Sequence, residues 1–365
     1  IITSDFTIQS SIYKGKMPLV LPVKQGNDYV HLRYIQDNWE KQYHAPYFDR
    51  SSISERILPH TSDKYPYLTI GDFLEPSIVS MPFELTDSFF DGNIKDKKQT
   101  FLLPLTSLFF EFFTVEELMN TMQDGTPMIE MRPIAGGSVV VTLCIPIKGN
   151  RYIKYEREYF KNNQPDEINN HGGVVDRKFG LGVMPLVEFT SSAKPYYRVA
   201  FFSNSKQRRL TFAGDSSCDV KSHVTRRDPA VNCSIESYVL ESTFNRIYVE
   251  TDSVRNVIIP KFVKMSNATQ FTFAVDFGTT NTHIEYATDG SNISHPFDIA
   301  RAEQQMHRMH KNYGGHSDIQ YAFEHAFIPD TIADGDDYSF PIRTAFAEWV
   351  NIDYKRQTNS LADGN

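Results

Sequence analysis

The chain has 365 residues, 40% of them hydrophobic and 22% charged, with a net charge of −8. That length exceeds one ordinary core and predicts two or three domains. The acidic balance argues against nucleic acid as a partner, which needs clustered Lys and Arg, and no stretch approaches the ~20 apolar residues of a membrane span.

Residues 1–265 read as a large, mostly-β region, either one sandwich or barrel-like domain or two subdomains. Short apolar or alternating runs recur there between turn residues, at 18–23, 29–35, 138–147, 151–155, 196–202, 237–241 and 246–250. The abundance of Phe and Tyr fits half-buried strands. Within residues 102–119, Thr114 is followed three positions later by Glu117, a capping box that opens a short helix through Met122. Phe109, Phe110, Phe112 and Phe113 in the same stretch are assigned to the core, because exposed apolar patches of that size are uncommon. Residues 162–182, rich in Asn and Gly, read as a long loop. The basic spots at 206–209 and at Arg226-Arg227 read as solvated loops, and residues 252–267 as a join, with 257–260 a last strand-like run.

Three cysteines without CxxC spacing make neither a disulfide framework nor a zinc site. Cys144 lies in the apolar run 139–145 and reads as a core thiol. Cys218 and Cys233 lie in polar stretches and read as unpaired, and reduced thiols fit a cytoplasmic location. The chain starts at Ile1 rather than Met, and residues 360–365 do not read as the end of a domain, so a longer parent protein is expected.

Residues 271–286, FTFAVDFGTTNTHIEY, carry the strongest chemical signal. They read as a buried strand, a tight Gly/Thr turn and a second strand. Asp276 closes the first strand, where its carboxylate can hold a hydrated cation. The amides of Gly278, Thr279, Thr280 and Asn281, unshielded by bulky side chains, can point at phosphate oxygens. A turn at 289–291 then leads into 292–299, giving a three-stranded antiparallel meander. Residues 300–311 read as a helix stopped by Gly314-Gly315, with a second helical piece at 318–326 and extended chain at 328–330 and 338–346. On that helix His307 and His310 share a face, followed by His316 and His325; they read as solvated histidines rather than a metal site. No Gly-X-Ser-X-Gly elbow or HExxH supports a hydrolase.

The run Asp276-Phe277-Gly278-Thr279-Thr280-Asn281-Thr282 closely resembles the first phosphate loop of the Hsp70-like and actin-like ATPases, which reads Asp-Leu-Gly-Thr-Thr-Asn-Ser. The strand order also resembles the start of that family's RNase H-like lobe, and residues 339–346 resemble the segment after its third strand. The resemblance covers roughly residues 270–350 and implies an α+β protein: the β-rich region at 1–265, then a partial Hsp70/actin-like nucleotide-binding lobe at 270–365. It implies ATP and Mg as cofactors, with Asp276 holding magnesium mostly through water and Gly278, Thr279, Thr280 and Asn281 around the β- and γ-phosphates. A chaperone-like protein client or partner, engaged by the β-rich region under nucleotide control, is the implied function. The family's second loop, Asp-X-Gly-Gly-Gly-Thr, and its adenosine motif do not occur after Asn281, so this chain alone is expected not to hydrolyse ATP. A non-enzymatic scaffold is the alternative, and a sugar or small-molecule kinase a third reading of the same loop.

Overall fold

Alternation builds the body of the protein. In a strand successive side chains face opposite ways, and β1 (Ser77–Met81), β2 (Thr100–Phe101), β3 (Ile129–Ile134), β4 (Ser138–Ile147), β5 (Arg151–Lys161) and β6 (His171–Asp176) form one six-stranded sheet in the order β2-β1-β6-β5-β4-β3. The computed structural model describes residues 2–23, 29–39, 43–190, 193–214, 216–228, 233–264, 269–277, 282–297, 303–304, 306–313, 318–320 and 331–332. β6 runs parallel to both β1 and β5, and the other pairings are antiparallel. The β4–β5 hairpin turns on Gly149 and Asn150 at φ 79° and 57°, the left-handed pair that matches strand twist.

β7 (Phe179–Met184), β8 (Tyr197–Ser203), β10 (Val220–Asp228) and β11 (Cys233–Leu240) form a second sheet in the order β10-β11-β8-β7. β9 (Arg208–Ala213), β12 (Arg246–Thr251) and β13 (Val254–Ile258) form a third, in the order β9-β12-β13. Two hydrophobic cores fill the body, and single strands serve both. Ile78 faces one core and Val79 the other; Val257 and Ile258 divide the same way. Buried Asn256 fastens the sheets together. Its Oδ1 accepts from the Val79 amide at 2.7 Å and its Nδ2 donates to the Ser77 carbonyl at 2.9 Å. One side chain thus satisfies backbone groups that an unpaired strand edge would leave buried.

Several expectations hold. The capping box forms in full, with the Glu117 amide donating to Thr114 Oγ1 at 3.1 Å and the Thr114 amide to Glu117 Oε2 at 2.8 Å. Phe109, Phe110, Phe112 and Phe113 are all buried, as is Cys144, and Cys218 is a free thiol. The helix Val115–Met119 is shorter than expected, because Asn120 turns extended and Met122 is drawn into a bond with Thr126.

Several expectations are corrected. The run 29–35 is not a strand, because residues 33–38 are helical: Tyr34 and Ile35 bury one side, while Arg33 and Asp37 pair at 3.7 Å across one turn, a spacing only a helix brings together. Residues 162–182 are not one long loop, since β6 and most of β7 lie within them. The glycines permit close approach there: a Cβ on Gly172 would sit 2.2 Å from the Tyr159 ring, and one on Gly173 would sit 2.8 Å from the Asn163 carbonyl. The segment from 300 to 311 is not a helix where it is described. Glu303–Gln304 is extended, and β17 (His307–Arg308) adds to the free edge of β7, His307 opposite Val183 and Arg308 opposite Gly182. Edge pairing and burial of Met306 and Met309 outweigh local helix preference. His316, His325, residues 328–330 and residues 338–346 lie outside the described residues, while 318–320 are helical as expected.

The meander forms as expected from β14 (Phe271–Phe277), β15 (Thr282–Thr288) and β16 (His295–Pro296). Its first strand is not buried, however. Phe271, Phe273 and Val275 are 49%, 52% and 44% exposed, because neither core takes a residue from this sheet.

Candidate functional site

Asp276 is the next-to-last residue of β14, exposed and directly across from His283 on β15. Strand alternation puts it on the face opposite Phe271, Phe273 and Val275. Cross-strand pairing adds His283 and Glu285 to that polar face, the pair in contact at 3.3 Å. Bonds from Ser294 and then His283 hold the Glu285 carboxyl below its usual range. Neither residue was singled out from sequence, although the alternation through Asp276 placed both beside it. Gly278, Thr279, Thr280 and Asn281 lie outside the described residues. Asp276 offers the hard oxygen donor that magnesium prefers, and no group of three or more potential ligands occurs among the described residues.

A second concentration of charge lies in the body. A cleft of about 690 Å³ is lined by Lys161, Asp176, Arg177, Lys178, Lys206 and Asp252, with Ser80, Pro82, Gln99, Asn204 and Ser205 between them. The topology assembles it. Lys161 ends β5, Asp176 ends β6, and Arg177-Lys178 form the crossover from the six-stranded sheet into β7. Asn204, Ser205 and Lys206 connect β8 to β9, and Asp252 sits at the β12–β13 hairpin. The walls are braced: the Arg177 amide donates to the Ser80 carbonyl at 2.9 Å, and Gln99 Nε2 donates to Ser80 Oγ at 2.7 Å. Asp252 and Ser253 take φ 47° and 70°, a left-handed two-residue turn that non-glycine residues adopt at some cost. It lets Asp252 reach both the Gln207 amide and Arg177, the latter at 3.5 Å.

The 206–209 basic spot is therefore not a plain solvated loop. Arg208 opens β9 and binds the buried carboxylate of Glu236, which also accepts from the Tyr238 hydroxyl and contacts His223 at 3.2 Å. Arg208 Nη1 in turn donates to the Ser205 carbonyl at 2.8 Å, fixing the turn that carries Lys206. Arg226-Arg227 lies in a strand, β10, rather than a loop.

Two further polar groups are buried. Arg157 is fully enclosed and donates to the Leu74 and Glu75 carbonyls at 2.8 and 3.1 Å. The nearby Glu75 carboxyl is pushed up to about 7, by burial first and by Glu167, against the opposing pull of Arg255 and Arg157. His310, expected to be solvated, is buried between Phe83 and Tyr313, and desolvation lowers it to about 3.

No protein-family model, curated protein or solved structure matches the chain. No helix among the described residues is long and apolar enough to cross a membrane.

Proposed function

We propose that this chain is part of an Hsp70/actin-like ATP-binding protein whose β-rich body engages a protein partner under nucleotide control. The supporting observation is Asp276, exposed near the end of the first strand of an antiparallel meander and two positions before the Gly278-Thr279-Thr280-Asn281 sequence. Asp276 would hold magnesium through water, and the amides of Gly278, Thr279, Thr280 and Asn281 would receive the phosphates. Phosphoryl chemistry rests largely on such positioning and charge stabilisation. Nucleotide binding would bias two arrangements of the lobe, and the body would meet its partner differently in each.

Calorimetry of magnesium-ATP on this chain and on the full gene product, each compared with Asp276→Ala, tests the reading. Binding that the substitution abolishes supports it. Binding that survives the substitution, or no binding by either protein, overturns it. The exposed row Phe271, Phe273 and Val275 favours a second reading, a non-enzymatic binding module. Partner capture that ignores both nucleotide and Asp276→Ala would select that reading.

A further inference from the structure

We propose that the cleft at the β6–β7 crossover is a binding site for a small phosphate-bearing anion, separate from the Asp276 strand. Four cations line it, Lys161, Arg177, Lys178 and Lys206, against two carboxylates, Asp176 and Asp252. The cleft is thus a local positive well on a chain of net charge −8. The two carboxylates are engaged, Asp176 with Lys161 at 3.2 Å and Asp252 with Arg177 at 3.5 Å. Among the described residues Lys178 and Lys206 have no carboxylate partner. Arg177 Nε is buried with no hydrogen-bond partner among the described residues, an unmet donor of the kind that folded proteins rarely leave.

The chemistry of the ligand follows from the arrangement. The cations come from three chain segments around a concavity, so one compact, multiply charged anion meets several at once, and guanidinium with ammonium groups is a phosphate-binding combination. An extended nucleic acid needs a row of cations and would face the acidic remainder of the chain. The volume of about 690 Å³ exceeds a bare phosphate and falls in the range of small-molecule sites. Ser205, Asn204 and Gln99 add neutral groups suited to a hydroxylated moiety, and Pro82 adds an apolar wall. The bracing of Ser205 by Arg208 and Glu236 means that the site is formed before any ligand arrives.

The test is calorimetric titration of the full chain with inorganic pyrophosphate, ribose 5-phosphate and ADP, without magnesium. Lys178→Ala/Lys206→Ala removes two exposed side chains that support no core, and circular dichroism checks its fold. Saturable 1:1 binding of pyrophosphate is expected, weakened about tenfold or more in the double variant and weakened again by added salt. Asp276→Ala should leave it unchanged, which separates this site from the nucleotide turn. Tighter binding of ribose 5-phosphate would identify a sugar phosphate as the ligand, and tighter binding of ADP a nucleotide. No saturable pyrophosphate binding, binding unaffected by the double variant, or binding lost only in Asp276→Ala would each overturn the proposal.

Discussion

In β5 the side chains of Ile153, Tyr155 and Tyr159 are fully buried, whereas in β14 Phe271, Phe273 and Val275 remain about half exposed. The two strands carry the same alternation of apolar and polar residues. Their surroundings differ. β5 is an inner strand of a six-stranded sheet, and Tyr155 packs against Phe73 from the layer above it. β14 is an edge strand of a three-stranded sheet whose aromatics touch mainly one another: Phe271 and Phe273 lie 5.8 and 6.2 Å from the Tyr286 ring. Alternation specifies a strand and its two faces; burial requires a second layer. The same contrast holds for charge. Arg157 in β5 is enclosed and aimed at main-chain carbonyls, while Asp276 in β14 stands in solvent.

If the body owes its stability to layered packing, truncating an aromatic there should have the largest effect. Phe109 is fully buried, with the rings of Phe73, Phe110 and Phe113 at 5.7, 5.1 and 5.0 Å. Phe109→Ala should cost about 3–5 kcal/mol of unfolding free energy in urea titration. A loss under about 1 kcal/mol would mean that the phenylalanine cluster is loosely packed and the contrast with the meander is overstated.

Buried His310 and half-buried Glu75 test the body's interior with opposite signs. His310 has its folded value lowered to about 3, so the folded protein refuses a proton that the unfolded chain accepts below pH ~6.5. Its stabilising effect is present above that pH and lost as pH falls toward the folded value. Stability should drop by about 2 kcal/mol between pH 7 and pH 5, and His310→Leu should flatten that slope. Glu75 is the reverse. With its folded value raised to about 7, it favours folding below the ordinary carboxyl range and loses that contribution as pH rises through about 7. Glu75→Gln should stabilise the protein at pH 8 by about 1–2 kcal/mol, allowing for partial solvent access, and change little at pH 4. Thermal melts across pH read both, and parallel slopes for wild type and variant would contradict either assignment.

What sequence revealed was local. Thr114 and Glu117 are three residues apart, and both bonds of their capping box depend on nothing distant. The meander was legible because its strands are few residues apart in sequence. The strand at 171–176 is not legible because Gly172 and Gly173 look like loop residues until Tyr159 and Asn163 are seen pressing on them, and the glycines of 179–184 read the same way. His310 read as solvated because its burial comes from Phe83, more than 200 positions earlier. The cleft was not legible at all: residues near 80, 99, 161, 177, 205 and 252 meet only through the pairing of three sheets. The basic spot at 206–209 was noticed, but its meaning lay in Glu236 and Asp252, which no spacing rule connects to it.

The smallest expected effect is the sharpest check on the comparison. Phe273 lies at the centre of the meander's aromatic face, 6.1 Å from the Phe297 ring. A half-exposed ring whose ring neighbours among the described residues, Phe271, Tyr286 and Phe297, all belong to or adjoin the meander contributes through pairwise aromatic contact, about 0.5–1.5 kcal/mol within the meander itself. Since neither core includes it, that contribution should not reach the body's cooperative transition. Phe273→Ala should therefore shift the urea midpoint of the body by less than the equivalent of about 0.5 kcal/mol, while hydrogen exchange in β14 and β15 speeds up. A loss near that of Phe109→Ala would show that a further layer covers this face in the folded protein. The difference between β5 and β14 would then be one of which segments complete each sheet, not of whether they are completed.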